Sequence, residues 1–323
     1  LHFMNMHIGN RKVVIIGAGY VGSSIAYALT IRNLAREIIL IDKNEPKAVG
    51  EALDIQHGIP YMGSSSVRCG GYEDIRDSDL IIITAGRSRR PGESRLELIQ
   101  DNVQIMKSVV DSILEYYTRG TIMVVSNPVD IMTYVCDRWM DLPAGRVFGT
   151  GCVLDTSRLV RGIANYTRIH VEAVKCNIVG EHGDTQFPVW SRLAIAGVPM
   201  DEYCQNVKLA WGDAQKEELY ERVKNMGAEI IRAKGRTHYG IATCVCSLAD
   251  AVLNQRLTIA PVTSTLQGEY GLSGVAISLP SIIGVAGVEQ RLEEKWTRHE
   301  YDLLEKSAAK MQEAIRIADS VLA

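Results

Sequence analysis

The stretch Lys12-Val13-Val14-Ile15-Ile16-Gly17-Ala18-Gly19-Tyr20-Val21-Gly22 decides the fold. Its Val and Ile residues run without a polar break, which predicts a strand buried on both faces of a parallel sheet. The G-x-G-x-x-G that follows predicts a tight turn at Gly17 and a helix that packs closely through Gly22. Gly19 has no Cβ, so the backbone there can approach a pyrophosphate. The N–H groups of the helix, from Tyr20 onward, and its positive dipole end suit a phosphate.

Asp42 follows the next apolar run, Glu37–Ile41 (E-I-I-L-I), and lies 20 residues after Gly22. A carboxylate at that place accepts hydrogen bonds from the ribose hydroxyls of NAD and repels the 2′-phosphate of NADP. We therefore predict NAD as the cofactor, a preference that the positive charge of the adjacent Lys43 weakens. The alternative is a glycine-rich turn that binds no cofactor. A strand, turn, helix and acid in register argue against that alternative.

Two further apolar runs, Leu80–Thr84 and Thr121–Val125, alternate with helical stretches such as Val21–Arg32 and Glu45–His57. Such alternation implies right-handed crossovers and a doubly wound parallel sheet. The predicted fold class is therefore α/β, with a Rossmann sheet first and a mixed α/β region after it.

The second half of the chain mixes long amphipathic helices with short strands. We predict helices over Asp213–Lys234 and Arg298–Val321, and strands near Val171–Val179 and Leu193–Ile195. The apolar run Gly274–Val288 is interrupted by polar residues and proline, and we expect it in the buried core.

The composition bounds the number of domains and the kinds of partner. A length of 323 residues suggests about two domains. We predict an NAD-binding domain over residues 1–150 and a substrate domain over residues 151–323. Hydrophobic residues make up 46% and charged residues 23%, as in ordinary globular proteins. The net charge of −3 provides no basic field for a nucleic-acid backbone, so we expect no nucleic-acid partner.

We expect no membrane segment, no secretory signal and no metal site. No apolar run reaches the roughly 20 residues that cross a bilayer. The first residues, Leu1–His7, hold no basic region followed by an apolar stretch. The seven cysteines are scattered without a C-x-x-C pair, which argues against a disulfide framework and a zinc site. A cytoplasmic protein with free thiols is therefore predicted.

Three residues have the character of a reaction centre. His182 lies between glycines in Gly180–Asp184 (G-E-H-G-D), directly after an apolar run, and loops carry much of the function of proteins. Asp155 and Arg158 are three residues apart, so on a helix they share one face. An aspartate can hold an imidazole by its N–H, and an arginine can grip a carboxylate through two hydrogen bonds. The alternatives are a structural histidine and a surface ion pair.

The segment Gly86–Arg95 (G-R-S-R-R-P-G-E-S-R) holds four arginines and follows the end of a predicted strand. Ligands of open α/β sheets bind at such carboxyl ends, so we expect Ala85 and Gly86 at the cofactor. A basic lid there could close over an anionic substrate and exclude water. The alternative is a solvated basic loop.

Together these motifs resemble the lactate/malate dehydrogenase family over nearly the whole chain. The matching pieces are G-A-G-Y-V-G (17–22), Asp42, T-A-G-x-x-x-x-P-G-E-S-R (84–95), V-S-N-P-V-D (125–130), G-T-G-C-V-L-D-T-S-R (149–158), G-E-H-G-D (180–184) and A-I-S-L-P-S-I-I-G (276–284). The resemblance implies hydride transfer between NADH and a small 2-keto acid, without a metal. It also implies a homo-oligomer, a tetramer rather than a dimer.

The resemblance implies roles for individual residues. His182 would be the proton donor and acceptor, with Asp155 as its partner. Arg95 would polarise the reacting carbonyl and stabilise the charge that develops on its oxygen. Three more residues would contact the substrate: Arg158 at its carboxylate, Asn127 at both substrate and nicotinamide, and Thr237 in the pocket wall.

Arg89 is expected to decide which 2-keto acid is used. It aligns with the position where malate-specific family members carry arginine, facing the second carboxylate of oxaloacetate. Lactate-specific members carry glutamine there, facing the methyl group of pyruvate. A buried guanidinium without a partner is costly, so Arg89 favours malate. The stretches Gly235–Ile241, His57–Pro60 and Phe187–Trp190 resemble the lactate branch and keep L-lactate dehydrogenase as the alternative.

Two other functions stay open. A non-catalytic nucleotide-binding oligomer would be expected to lack His182, Asp155 or Arg95, and all three are present. A dehydrogenase for larger, branched 2-keto acids would need an apolar lid, and Arg89 with Arg90 argues against one.

Activation by fructose 1,6-bisphosphate is expected to be weak or absent. Many bacterial lactate enzymes of the family bind this effector through an arginine and a histidine at a subunit interface. Val160 and Lys175 stand at those two positions in this chain.

Overall fold

A computed structural model describes residues 10–87 and 95–322. The strands are β1 (Lys12–Ile16), β2 (Glu37–Ile41), β3 (Ser66–Cys69), β4 (Leu80–Ile83), β5 (Thr121–Val124), β6 (Val147–Gly149), β7 (Val174–Lys175), β8 (Ile178–Val179), β9 (Phe187–Pro188), β10 (Ala194–Ile195), β11 (Val198–Pro199), β12 (Thr258–Gln267), β13 (Ser273–Gly284) and β14 (Gly287–Arg291). The helices are α1 (Tyr20–Ile31), α2 (Glu45–Gly58), α3 (Arg95–Leu114), α4 (Val129–Met140), α5 (Val153–Thr167), α6 (Met200–Val207), α7 (Asp213–Lys234), α8 (Tyr239–Leu253) and α9 (Arg298–Leu322).

The main sheet has the strand order β14-β13-β12-β6-β5-β4-β1-β2-β3 within the described residues. The strands β1 to β6 are parallel, and β1 pairs with β2 on one side and with β4 on the other. The strand order therefore reverses at β1, which puts the turn after β1 at the crevice where ligands of such sheets bind. The predicted Rossmann-type α/β fold is confirmed.

The Val and Ile runs are buried because helices cover both faces of the sheet. Val14 and Ile16 of β1 belong to a core with side chains from α3, α4 and α9. Val13 and Ile15 belong to a second core with side chains from α1, α2 and α8. Successive residues of a strand point to opposite faces, so a strand covered on both sides is apolar at every position.

The second half of the chain extends the same sheet. The strands β12, β13 and β14 pair antiparallel, and β12 meets β6 where Thr263 lies opposite Gly149. The run 274–288, expected only as buried core, forms most of β13 and the start of β14. The strand expected near 171–179 is divided into β7 and β8. A third core packs between α5, α7 and these short strands.

The helices agree with their sequence patterns. The helix predicted over Asp213–Lys234 has those bounds, and the last helix ends one residue beyond the predicted Val321. In α9 the stripe of Leu304, Ala308, Met311, Ile315 and Ala318 is buried. No helix in the described ranges combines the length and apolar character that a bilayer span needs.

Candidate active site

The turn after β1 has the close packing that its glycines suggest. Gly17 has a φ of +109°, which favours glycine. A Cβ on Gly22 would overlap the carbonyl oxygen of Gly17, whereas one on Gly19 would meet no described atom within 4 Å. Gly22 therefore lets helix and strand touch, and the space beside Gly19 is open. The helix α1 begins without a side-chain cap from a described residue, so its first N–H groups are available.

We expect Gly22→Ala to lower the free energy of unfolding by about 2–3 kcal/mol, because the methyl group meets backbone that cannot move aside. Chemical denaturation measures the change. Gly50→Ala on the exposed side of α2 is the matched control, since its Cβ would meet no described atom within 4 Å. That control should gain about 0.5–1 kcal/mol from helix propensity. Similar effects of the two substitutions would contradict the packing argument.

A cavity of about 1170 Å³ opens at this turn and extends along the ends of β2 and β4. Its lining includes five predicted cofactor residues: Gly17, Gly19, Asp42, Ala85 and Gly86. The carboxylate of Asp42 accepts hydrogen bonds from the N–H groups of Ala18 (2.7 Å) and Asn44 (2.9 Å), which holds it beside the turn. An open glycine turn, an uncapped helix and a carboxylate are the groups that fit a dinucleotide with free ribose hydroxyls.

Tyr20 and Val21 form the first turn of α1, directly after Gly19, which lines this cavity. The ring of Tyr20 is 55% exposed and is covered by the guanidinium of Arg236, which lies 3.7 Å from the ring centroid. Arg236 directly precedes Thr237, in the turn between α7 and α8. The structure therefore brings the turn that carries Thr237 next to the dinucleotide turn.

His182 and Asp155 meet although 27 residues separate them in the sequence. The ring Nδ1 of His182 lies 2.6 Å from Oδ2 of Asp155. Asp155 occupies the first turn of α5 and its side chain is 5% exposed, whereas that of His182 is 30% exposed. One turn along α5, Arg158 lies 3.3 Å from Oδ1 of Asp155. With Nδ1 bound to Asp155, Nε2 is the ring nitrogen that remains for a substrate.

The electrostatics of the pair favour a charged imidazole. Burial opposes the imidazolium, but the charge and hydrogen bond of Asp155 outweigh it and raise the pKa of His182 above its ordinary value. Burial likewise opposes the Asp155 carboxylate, but His182 and Arg158 hold its pKa below the ordinary value. The arrangement can therefore store a proton at neutral pH and release it to a bound oxygen.

Cys152 lies beside this pair, a grouping that the sequence analysis did not predict. One ligand atom each of Cys152, Asp155 and His182 lies within 4.8 Å of the other two. Burial raises the pKa of the Cys152 thiol well above its ordinary value, so the thiol keeps its proton.

Of three other predicted site residues, one is described in full, one only by its backbone, and one lies outside the described residues. Asn127 follows β5 and so lies at the carboxyl edge of the sheet. The backbone of Arg95 begins α3, and its side chain lies outside the described part of the structure. Arg89 lies outside the described residues.

Asn102 joins the base of the basic segment to Asn127, a role that the sequence analysis missed. Its side chain accepts from the N–H of Arg87 (2.9 Å) and donates to the carbonyl oxygens of Arg87 (3.1 Å) and Asn127 (2.9 Å). Asn102 is buried and lies three residues after the buried Ile99 on α3. An amide on the apolar face of an amphipathic helix was the available signal.

The comparisons with known proteins agree with this geometry. Residues 11–149 match the family description "lactate/malate dehydrogenase, NAD binding domain", and residues 152–320 match "lactate/malate dehydrogenase, alpha/beta C-terminal domain". The chain belongs to the lactate/malate dehydrogenase family. As a member of it, the protein is an NAD-dependent oxidoreductase that acts on the CH–OH group of a 2-hydroxy acid.

Relatives within the lactate/malate dehydrogenase family match nearly the whole chain. An L-lactate dehydrogenase of Acetivibrio thermocellus is 40% identical over 316 residues, which are 98% of this chain and 100% of that protein. The crystal structure of a lactate dehydrogenase from a Medee basin deep-sea metagenome library has a TM-score of 0.93 at 33% identity and covers 96% of this chain and 99% of that one. The minor L-lactate dehydrogenase of Enterococcus mundtii has a TM-score of 0.91 at 37% identity, with 95% and 98% covered.

Proposed function

We propose that His182 is the acid and base of a reversible reduction of a 2-keto acid to its 2-hydroxy acid. The 2.6 Å hydrogen bond between His182 and the buried Asp155 carries this proposal. NADH, when bound, supplies the hydride that the keto carbon receives. Nε2 of His182 gives a proton to the carbonyl oxygen, and Asp155 fixes the tautomer and stabilises the imidazolium.

The remaining charged residues bind and polarise the substrate. Arg158 grips the substrate carboxylate, since it lies one turn from Asp155 on α5 and its side chain is 15% exposed. Arg95 stabilises the negative charge that develops on the carbonyl oxygen. Asn127 orients the substrate and the nicotinamide, and Thr237 lines the pocket. Fixing the substrate at both ends produces a near-attack geometry.

The cofactor would be held by the residues around the glycine turn. Gly17, Gly19, Tyr20, Val21 and Gly22 would bind the pyrophosphate with the first turn of α1. Asp42 would accept from the ribose hydroxyls, while Ala85, Gly86 and Asn127 would lie along the nicotinamide half.

We propose oxaloacetate and malate as the preferred substrate pair because of Arg89. A second candidate, pyruvate and lactate, is favoured by the relatives, which are named L-lactate dehydrogenases. In the basic segment Gly86–Arg95, the guanidinium of Arg87 forms an ion pair with the carboxylate of Asp101 at 2.7 Å. Arg89, which aligns with the arginine of malate-specific family members, is the group proposed to meet a second substrate carboxylate.

The test compares kcat/KM for oxaloacetate and for pyruvate in the wild type and in Arg89→Gln. We expect the wild type to prefer oxaloacetate and the variant to lose about 10²-fold of that preference, since a carboxylate in a dry site loses its partner. Arg87→Gln is the matched control and should keep the preference. A wild type that prefers pyruvate, with no change in Arg89→Gln, would refute the malate assignment and leave lactate.

We also propose a cytoplasmic homo-oligomer, a tetramer rather than a dimer, with its domains divided near residue 150. Exposed apolar side chains on α1 and α2, Tyr27, Ile31 and Leu53, support self-association. All seven cysteines, which lie in the described ranges, are free, and this fits a reducing compartment.

A further inference from the structure

Asp130, in the first turn of α4, is buried beneath the loop that carries His182. Its Oδ2 accepts the main-chain N–H of His182 at 2.7 Å, and its Oδ1 accepts the hydroxyl of Thr263. The Thr263 oxygen lies 3.0 Å from the hydroxyl oxygen of Ser278, which accepts the N–H of Cys152 at 3.1 Å. One chain of hydrogen bonds thus joins α4, β12, β13 and the start of α5 under the histidine.

The directions of these hydrogen bonds follow from an ionised Asp130. Thr263 then gives its single hydroxyl proton to Asp130, and Ser278 donates to Thr263. Ser278 in turn receives the N–H of Cys152. Every donor therefore points toward Asp130, and both of its oxygens accept. Two donated hydrogen bonds, one to each oxygen, stabilise the ionised form of this carboxylate.

The sequence is built to allow this close approach. A Cβ on Gly151 would overlap the hydroxyl of Ser278 and lie 2.6 Å from that of Thr263. Gly151 also has a φ of +50°, which favours glycine. The second glycine of Gly149-Thr150-Gly151 therefore lets the start of α5, and Asp155 with it, reach the network.

We propose that Asp130 is a positioning residue of the active site, a second buried carboxylate that fixes the main chain of His182 and stabilises its imidazolium by charge. Asp155 holds the ring, and Asp130 holds the backbone behind it. The inference rests on the proposed role of His182 as the proton donor.

The charges around the histidine agree with this role. His182 faces Asp155 and Arg158 on α5 and Asp130 on α4; the two carboxylates raise the pKa of His182 against burial, and Arg158 lowers it. Burial raises the pKa of Asp130 to about 6, against the Thr263 hydroxyl and the charge of His182, while the neighbouring Glu181 raises it further. Asp130 is therefore ionised in the neutral range and loses its charge as the pH falls below about 6.

The experiment measures kcat/KM for keto-acid reduction as a function of pH and follows its decline at alkaline pH, called here the alkaline limb. Reduction needs protonated His182, so activity declines as the pH rises through its pKa. Asp130→Asn keeps the shape and removes the charge. We expect the limb to move to lower pH by about 0.5–1 unit and kcat/KM at neutral pH to fall about tenfold.

Ser278→Ala is the matched control, because it breaks the same chain and leaves the charge of Asp130 and both of its donors in place. It should lower the melting temperature without moving the limb. If both variants lose stability and neither moves the limb, Asp130 is only structural and the inference is overturned.

Two further variants complete the test: one substitutes for Asp130→Asn, and the other separates the role of Asp130 from that of His182. If Asp130→Asn does not fold, Thr263→Val replaces it. Loss of the hydroxyl raises the pKa of Asp130, so the decline of kcat/KM on the acid side, where Asp130 loses its charge, should move to higher pH, and an unchanged acid side overturns the inference. His182→Gln separates this inference from the proposed function. A limb that persists in His182→Gln refutes the role of His182 itself, whereas a limb that His182→Gln abolishes and Asp130→Asn leaves in place refutes the role of Asp130 alone.

Discussion

Replacing His182 with glutamine is expected to reduce kcat/KM for 2-keto acid reduction by about 10³-fold, within the range of a lost general acid. Glutamine can still donate a hydrogen bond to Asp155, so the loop keeps its anchor. It cannot supply a proton to the carbonyl oxygen. Steady-state kinetics at saturating NADH measure the loss, and NADH fluorescence checks that the cofactor still binds.

The pH dependence gives this substitution a second readout. Asp155 raises the pKa of His182, so the protonated ring persists to higher pH than in a free histidine. Reduction should therefore be retained below that pKa and lost above it, and oxidation of the hydroxy acid should show the opposite trend. The exposed His57 on α2 provides the control, since His57→Gln should change neither rate nor profile. A His182→Gln enzyme with normal kcat would assign the proton to another group.

Arg158→Lys is expected to lower kcat/KM by about 10³-fold, although it conserves the charge. The planar guanidinium can bind a carboxylate through two parallel hydrogen bonds, and an ammonium cannot. A buried substrate carboxylate that is imperfectly paired loses much of its binding energy, and the keto carbon loses its alignment. Kinetics with one keto acid over a wide concentration range separate the effects on KM and kcat.

Arg161→Lys, about one turn further along α5 than Arg158 and exposed, tests the same chemical change on the same helix. It should leave kcat/KM within about twofold, as expected for exposed charges. Equal losses in the two variants would show that the helix, rather than carboxylate binding, is disturbed. Full activity of Arg158→Lys would remove Arg158 from the substrate site.

The parallel half of the sheet was predictable because its strands obey a simple rule. A strand covered on both faces is apolar at each position, and Lys12–Ile16 or Glu37–Ile41 shows this in the sequence. The strand β12 (Thr258–Gln267) escaped notice because it contains Pro261 and buries the hydroxyls of Thr263 and Ser264. Those polar groups are tolerated only through partners that the fold brings from elsewhere.

The residues of the candidate site likewise include some that could be predicted from the sequence and some that could not. His182 and Asp155 were found because a glycine-flanked loop and a helical spacing each leave a local trace in the sequence. Asp130 belongs to the stretch V-S-N-P-V-D, but that stretch does not show its role, because its partner His182 is 52 residues away and its burial depends on strands that pair much later in the chain. The role of Asp130 is visible only in the folded chain.

The antiparallel junction between β6 and β12 makes the two halves of the chain one hydrogen-bonded body. Asp130 comes from the first half, Thr263 and Ser278 from the second, and their contacts cross this seam. Chimeras that join the cofactor half of one relative to the substrate half of another at residue 150 would cut through these contacts. Exchange of substrate specificity among relatives should therefore proceed by single substitutions that leave these contacts intact, rather than by swapping whole halves.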